Sequence, residues 1–407
     1  MVQHPQTRHR RSVRLPTAPV VVMIFGVAAS HGVAQTPPST GLEVGALPAI
    51  NFDSDEGFGY GAFAELYQYG DGDVQPYVWT LQPTVFLTTE GRRDFTVFVD
   101  APRFLSEGWR LTAFGGRQKQ IATPWYGIGN DTPYSEALED DEGPDPFFYR
   151  FGVVRSSLTF DLQNSLGDSP VRFLVGGGLE KATTNPVPEM EGTTLYALQH
   201  GTDEEEAWLN YLRAGLVWDT RDRETGPTSG TWTELLIRRT DRRLAADVTF
   251  NRITFTDRRY WSITDGLVFA HRVLGQHVTS GAPDFELFRV QSSFKQDEGL
   301  GGSKTVRGIL RNRYVGRGMV VWNAELRWRA ADFRLLGRDF HTVLSAFLDQ
   351  GRVWEDGFDL GGVFEDLHRG YGGGVRVGMG ENFVVAVDAG TSSEAGLGVY
   401  IGLGYLY

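Results

Sequence analysis

Residues 301–316 read GGSKTVRGILRNRYVG, with Arg307 set between Val306 and Gly308 and followed by Arg311, Arg313 and Arg317. A guanidinium stays charged in a protein, and its planar fork matches a carboxylate with two parallel hydrogen bonds. A long polar stretch of this kind in a compact protein is normally either functional or disordered. Other chemistry-bearing groups form no recognisable constellation. GLGGSKT (299–305) lacks the Gly-Lys-Ser/Thr order and the strand-to-helix setting of a phosphate loop. No Gly-x-Ser-x-Gly elbow occurs. His271, His277 and His341 are candidates for a surface lipid hydrolase by location alone, with no serine placed beside them. The acidic stretches EDDEGPD (139–145) and DEEE (203–206) carry the carboxylates that calcium uses but not a defined ligand spacing. The expectation is a protein with no catalytic, cofactor-binding or metal-ligating residues.

Composition narrows the class. Net charge is −12 over 407 residues, which argues against nucleic acid as the main partner. There is no cysteine, so disulfides, thiolate metal sites and a lipid-bearing cysteine are excluded. Glycine is abundant, 51 of 407 residues against an average of about 7%. The N-terminus begins with Arg8, Arg10, Arg11 and Arg14. The apolar run APVVVMIFGVAA (18–29) follows, then small residues placed for cleavage after Ala34. This is the layout of a secretory signal peptide over 1–34, too short to span a bilayer. Residues 35–407 are expected to form one domain.

What positions Arg307 is a series of alternating segments. In 320–329, Val320, Trp322, Ala324, Leu326 and Trp328 share one face, while Val321, Asn323, Glu325, Arg327 and Arg329 share the other. Successive strand residues face opposite sides, so one surface is apolar and the other charged. Residues 57–66 and 397–407 read alike. Trp218, Trp322, Trp328, Tyr405 and Tyr407 fall on the apolar face at strand ends, where an aromatic girdle would lie. Sixteen strands are expected, near 42–52, 57–68, 75–88, 93–101, 109–121, 147–161, 170–182, 207–219, 230–240, 246–257, 260–274, 318–330, 340–350, 369–379, 382–390 and 397–407. The long connections follow the fifth, seventh, eleventh and thirteenth strands, all on one end. In hydrocarbon every backbone donor must be paired, and a sheet achieves this by closing on itself. The fold expected is an all-β, sixteen-stranded antiparallel transmembrane β-barrel.

Three stretches together resemble the BamA/TamA outer-membrane assembly barrels, also called bacterial surface antigens. GGSKTVRGILRNRYVGRGMVVWNAELRW (301–328) resembles the signature loop and following strand of that family. VWDTRDRETGPTSGTWTELLI (217–237) resembles its strand–turn–strand. AFLDQGRVW (346–354) resembles its Phe-x-Asp-x-Gly strand, here Phe347, Asp349 and Gly351. The resemblance implies that loop 277–317 folds into the lumen and that Arg307 of Val306-Arg307-Gly308 reaches Asp349, with Glu325 nearby. Ile309 stands where the family carries an aromatic, which implies a looser loop tip. The first strand begins within about ten residues of the expected mature N-terminus, so a member without periplasmic POTRA modules is expected.

The resemblance implies a non-enzymatic barrel of the bacterial outer membrane, monomeric, with both termini periplasmic. It would insert or translocate proteins, or interact with lipid or protein through a plugged lumen. Outer-membrane lipids and client proteins would be its partners. A weak seam between first and last strands, with Pro48 in the first and four glycines in or near the last, would open laterally. The alternatives are a passive diffusion pore and an outer-membrane lipid hydrolase.

Overall fold

The computed structural model describes residues 40–407 apart from 54–56, 74–75, 90, 107, 139–144, 146, 168, 188–191, 295–296, 336–337 and 380–382. The expected signal peptide and all but Asp145 of the acidic stretch 139–145 lie outside the described residues.

The strands are β1 Leu42–Asp53, β2 Gly57–Gln68, β3 Trp79–Thr88, β4 Arg93–Ala101, β5 Trp109–Pro124, β6 Arg150–Ser165, β7 Val171–Asn185, β8 Glu205–Trp208, β9 Tyr211–Asp219 and β10 Gly230–Thr240. They continue with β11 Phe250–Thr264, β12 Leu267–Val278, β13 Arg289–Val290, β14 Asp297–Glu298, β15 Gly318–Leu335, β16 Arg338–Trp354, β17 His368–Met379, β18 Phe383–Ser392 and β19 Gly398–Leu403. Apart from the small β13–β14 pair, they form one antiparallel sheet of seventeen strands. Because β8 and β9 both pair with β7, they are one interrupted stave, and the sheet has sixteen positions among the described residues. Each stave pairs with its neighbours in sequence, as in an up-and-down barrel. Among the described residues no ladder joins β1 to β19.

The burial pattern is that of a protein solvated by lipid. Along β12, every second residue from Val268 to Val278 is buried. The large side chains with almost no exposure include Arg252, Arg272, Arg307 and Arg376, while Leu212, Leu216, Ile237 and Trp328 are about half exposed. A water-soluble domain does the reverse. A membrane barrel turns its apolar residues to hydrocarbon and its charges to the lumen.

The connections are sorted by end. Those at 125–149, 186–204, 279–317 and 355–367 lie at the long-loop end, whereas none at the opposite, short-turn end exceeds the ten residues of 69–78 and 220–229. Two expected boundaries are corrected. The turn expected at 258–259 is instead Asp265–Gly266, with Gly266 at φ 78°. Asp-Gly is the two-residue hairpin turn, which outranks the local loss of alternation. The last strand stops at Leu403 rather than 407, and Gly404, at φ 78°, redirects the chain. Tyr405 and Tyr407 are consequently not girdle residues. Tyr407 is buried against Tyr260, Val268 and Ala270, and both rings lie near the Arg327 guanidinium, at 4.7 and 5.1 Å from their centroids.

Candidate functional site

The segment from Thr279 to Arg317 connects β12 to β15, and among its described residues Glu286 and Arg307 are buried against inner-face residues of the strands. Its tip is Val306-Arg307-Gly308, whose side chains are placed by facing strands. On the lumen face of β15 stand Asn323, Glu325 and Arg327. On that of β16 stand Phe347, Asp349 and Gly351.

Arg307 has no solvent exposure. Its Nε donates to Asp349 Oδ2 at 2.7 Å and its Nη2 to Asp349 Oδ1 at 3.1 Å, the two-pronged geometry that suits a guanidinium. Nη1 donates to Glu325 Oε2 and to Asp388 Oδ2, each at 3.0 Å. The backbone N–H of Arg307 also donates to Asp349 Oδ2 at 3.2 Å. The guanidinium carbon lies 3.4 Å from the Phe347 ring centroid, a cation–π contact. Arg327 and Arg376 bind the same acids, Arg327 to Glu325 at 2.9 Å and Arg376 to Asp388 and Glu325. Three arginines therefore meet three carboxylates, and burial is offset by pairing. Asn323 donates to both Asp349 Oδ1 and the Thr305 carbonyl, which ties the acid to the loop.

Backbone approach makes this possible. Gly308 sits at φ 93°, and a Cβ there would fall 2.5 Å from the Thr391 carbonyl oxygen. The Gly308 N–H donates to the Tyr400 hydroxyl at 2.9 Å. Val306 is fully buried with Leu274, Leu300, Met319, Val321 and Val353. Gly351 leaves room for Leu300, since a Cβ would lie 2.8 Å from Leu300 Cδ1. Ile309 belongs to the same cluster at 2% exposure, so the residue that replaces the aromatic is well packed.

A second cluster holds the base of the loop, and the sequence reading did not find it. Glu286 lies on a short turn of the loop and is fully buried. It accepts from Arg252 of β11 at 3.2 Å, lies 2.6 Å from Arg155 of β6 and 3.3 Å from Arg289. Glu180 of β7 accepts from Arg238 of β10 at 3.0 Å and from Arg289 at 3.3 Å. Four arginines face two glutamates. Burial alone would raise the Glu286 pKa, but Arg155, Arg289 and Arg252 hold it well below the carboxylate range. The polarity is inverted between the clusters: a loop cation enters an acidic wall at the tip, and a loop anion enters a basic wall at the base. The available signal was the row of arginines on the lumen faces of β10, β11 and β12 (Arg238, Arg252, Arg272).

Beside the base of the loop, Trp125, Phe151, Tyr196, Phe250, Phe285 and Leu287 form an apolar cluster from three connections and two strands. At the short-turn end, Glu224 of the 220–229 turn reaches Arg110, which also binds Asp100. The three candidate histidines are not brought together. His271 and His277 take the outward-facing positions of β12, and the His341 ring lies against Gly378 of β17.

The Omp85 superfamily domain model matches residues 185–383. Among solved structures, the chain is similar to BamA from Haemophilus ducreyi lacking POTRA domains 1–3, at TM-score 0.54 and 12% identity, over 90% of this chain and 69% of that one. It is also similar to CdiB from Escherichia coli, at TM-score 0.58 and 12% identity, over 95% and 67%. CdiB from Acinetobacter baumannii gives TM-score 0.50 and 13% identity, over 95% and 66%. The chain spans about two thirds of the length of each, and at these identities the likeness is one of fold. No curated protein matches it in sequence. The domain match spans just under half of the chain, and together with the shared fold it makes this chain similar to the β-barrels of the Omp85 superfamily.

Proposed function

We propose that this barrel inserts or translocates proteins and that loop 277–317 is its plug, latched by Arg307. The observation that carries this reading is the enclosure of the Arg307 guanidinium by Asp349, Glu325 and Asp388 with no exposure. A passive pore needs an open aqueous lumen, and the two buried clusters at Arg307 and Glu286 support a filled one instead. Val306, Gly308, Phe347 and Gly351 shape the latch, and none of these residues is poised for bond chemistry. The reading is therefore of a non-enzymatic, monomeric barrel whose partners are outer-membrane lipids and client proteins.

The chain enters β1 and leaves β19 at the short-turn end, which we assign to the periplasmic side. The lateral seam is β1 against β19. In support, among the described residues these strands share no ladder, and β19 pairs with β18 over six positions only.

Planar-bilayer recording tests the plug. Small, erratic openings are expected for the native protein, and large steady ones for Arg307→Ala. Large steady openings in the native protein would overturn the plug. Cysteines placed in β1 and β19 test the seam in a chain that otherwise has none. If oxidising them leaves function unchanged, lateral opening is not the mechanism.

A further inference from the structure

The connection 355–367 does not rise away from the barrel. It folds back over the outer wall. Arg352 of β16 alternates with the lumen-facing Gly351 and Val353 and so points outward. Its Nη1 donates to the Gly362 carbonyl at 2.7 Å and the Glu365 carbonyl at 2.8 Å, fastening the loop to the outside of the strand. The loop backbone crosses the outward face of Gly318, the first residue of β15, where a Cβ would fall 2.8 Å from the Phe358 nitrogen. The Phe358 N–H donates to Nδ1 of the outward-facing His277 at 3.4 Å, and its ring lies 4.8 Å from that of Trp354. Phe364 stacks on Trp322 of β15 with ring centroids 5.3 Å apart. Trp322 lies four residues inside the strand, roughly 13 Å along it at about 3.3 Å per residue.

The outer ends of this segment are apolar. Leu360 is 80% exposed and Phe364 77%, more than any other large hydrophobic side chain described. Their surroundings are the lipid-facing wall itself, continuous through Trp322 with Leu326 and Leu348. A loop whose backbone is pinned while its leucine and phenylalanine stay largely exposed would be poorly solvated by water. Asp356, Asp359, Glu365 and Asp366 are exposed beside them, and their charge keeps the segment out of the hydrocarbon centre. Aromatic and apolar groups beside charges are the composition of the bilayer interface.

We propose that residues 355–367 form a membrane-interfacial strap, bedding Leu360 and Phe364 among lipid chains along the outer wall of β12, β15 and β16. These are the strands whose inner faces meet loop 277–317, so the lumen loop and the lipid strap share one piece of wall.

The absence of cysteine makes the test direct. Leu360→Cys and Phe364→Cys, prepared separately in the full chain, would carry a nitroxide label in vesicles of phosphatidylethanolamine and phosphatidylglycerol. Leu348→Cys on the lipid-facing wall and Asp203→Cys on an exposed loop give the reference values. Collision with oxygen is expected to exceed collision with a water-soluble nickel chelate at 360 and 364, as at 348. Preference for the nickel chelate, as at 203, would overturn the proposal. So would shielding from both reagents, which would mean that a protein or a second copy covers the strap. Two labelled positions keep the result readable if one substitution disturbs folding.

Discussion

Gly370 and Arg307 touch through their backbones: a Cβ on Gly370 would overlap the Arg307 carbonyl oxygen. The loop tip rests on a floor of β17 and β18 that has no side chain at the point of contact. Gly390 of β18 completes this floor, with Gly308 N 3.0 Å from its would-be Cβ. The latch thus needs absent side chains on the wall as much as a charge on the loop.

Gly370→Ala should expel the loop tip while leaving the barrel folded, because alanine suits an extended strand and only the loop opposes it. Overpacking of this kind costs about 1–3 kcal/mol. Faster proteolysis within 299–316, at unchanged heat-modifiable mobility on gels, is the expected result. Gly402→Ala is the control, since nothing lies within 4 Å of that position, and it should leave cleavage unchanged.

Arg307→Ala should be the most disruptive change at the tip. It leaves a void and strands Asp349 without a guanidinium, while Glu325 and Asp388 keep Arg327 and Arg376, and breaking a buried pair costs roughly 3–5 kcal/mol. That shifts the balance between seated and released loop by two to nearly four powers of ten, at about 1.4 kcal/mol per decade. Arg307→Lys keeps the charge but loses the two-pronged contact with Asp349, so it should fall between native and alanine. Conductance and protease sensitivity should rank the three proteins in the same order.

Glu286→Gln should release the base of the loop, because four arginines would then face Glu180 alone. A double variant that also replaces Arg252 with methionine should recover part of the loss, as an apolar isostere avoids the uncompensated charge. Protease cleavage near 284–292 reads the effect. Additive rather than compensating effects would show that the two residues do not act together.

Acid should mimic that substitution. The Glu286 pKa is depressed in the folded barrel, so this residue contributes stability above the ordinary carboxylate value, about 4.5. The contribution is lost as pH falls through the depressed folded value. Loop protection should hold from neutral pH down to about 5 and fail only at more acid pH. Glu286→Gln should remove that contribution to the acid transition.

Much of this molecule was legible residue by residue. The two faces of 320–329 and the sorting of long connections to one end are found where the one-dimensional reading expected them to be. Strand alternation is a local property with a period of two. The misread boundaries have local causes too: the Asp265-Gly266 turn and the left-handed Gly404 each override an alternation that runs on past them.

The sequence by itself determined that one face of the sheet meets lipid and that a charged loop must be accommodated, because burying an arginine without an acid is prohibitive. Only the tertiary structure decided that Asp388 and Arg376 join the tip and that Glu286 is gripped at the base by Arg155 and Arg252. Only it showed that 355–367 turns down over the outer wall. Those partners lie on strands tens to more than a hundred residues apart, brought together by the curvature of the sheet, and no spacing along the chain records that curvature.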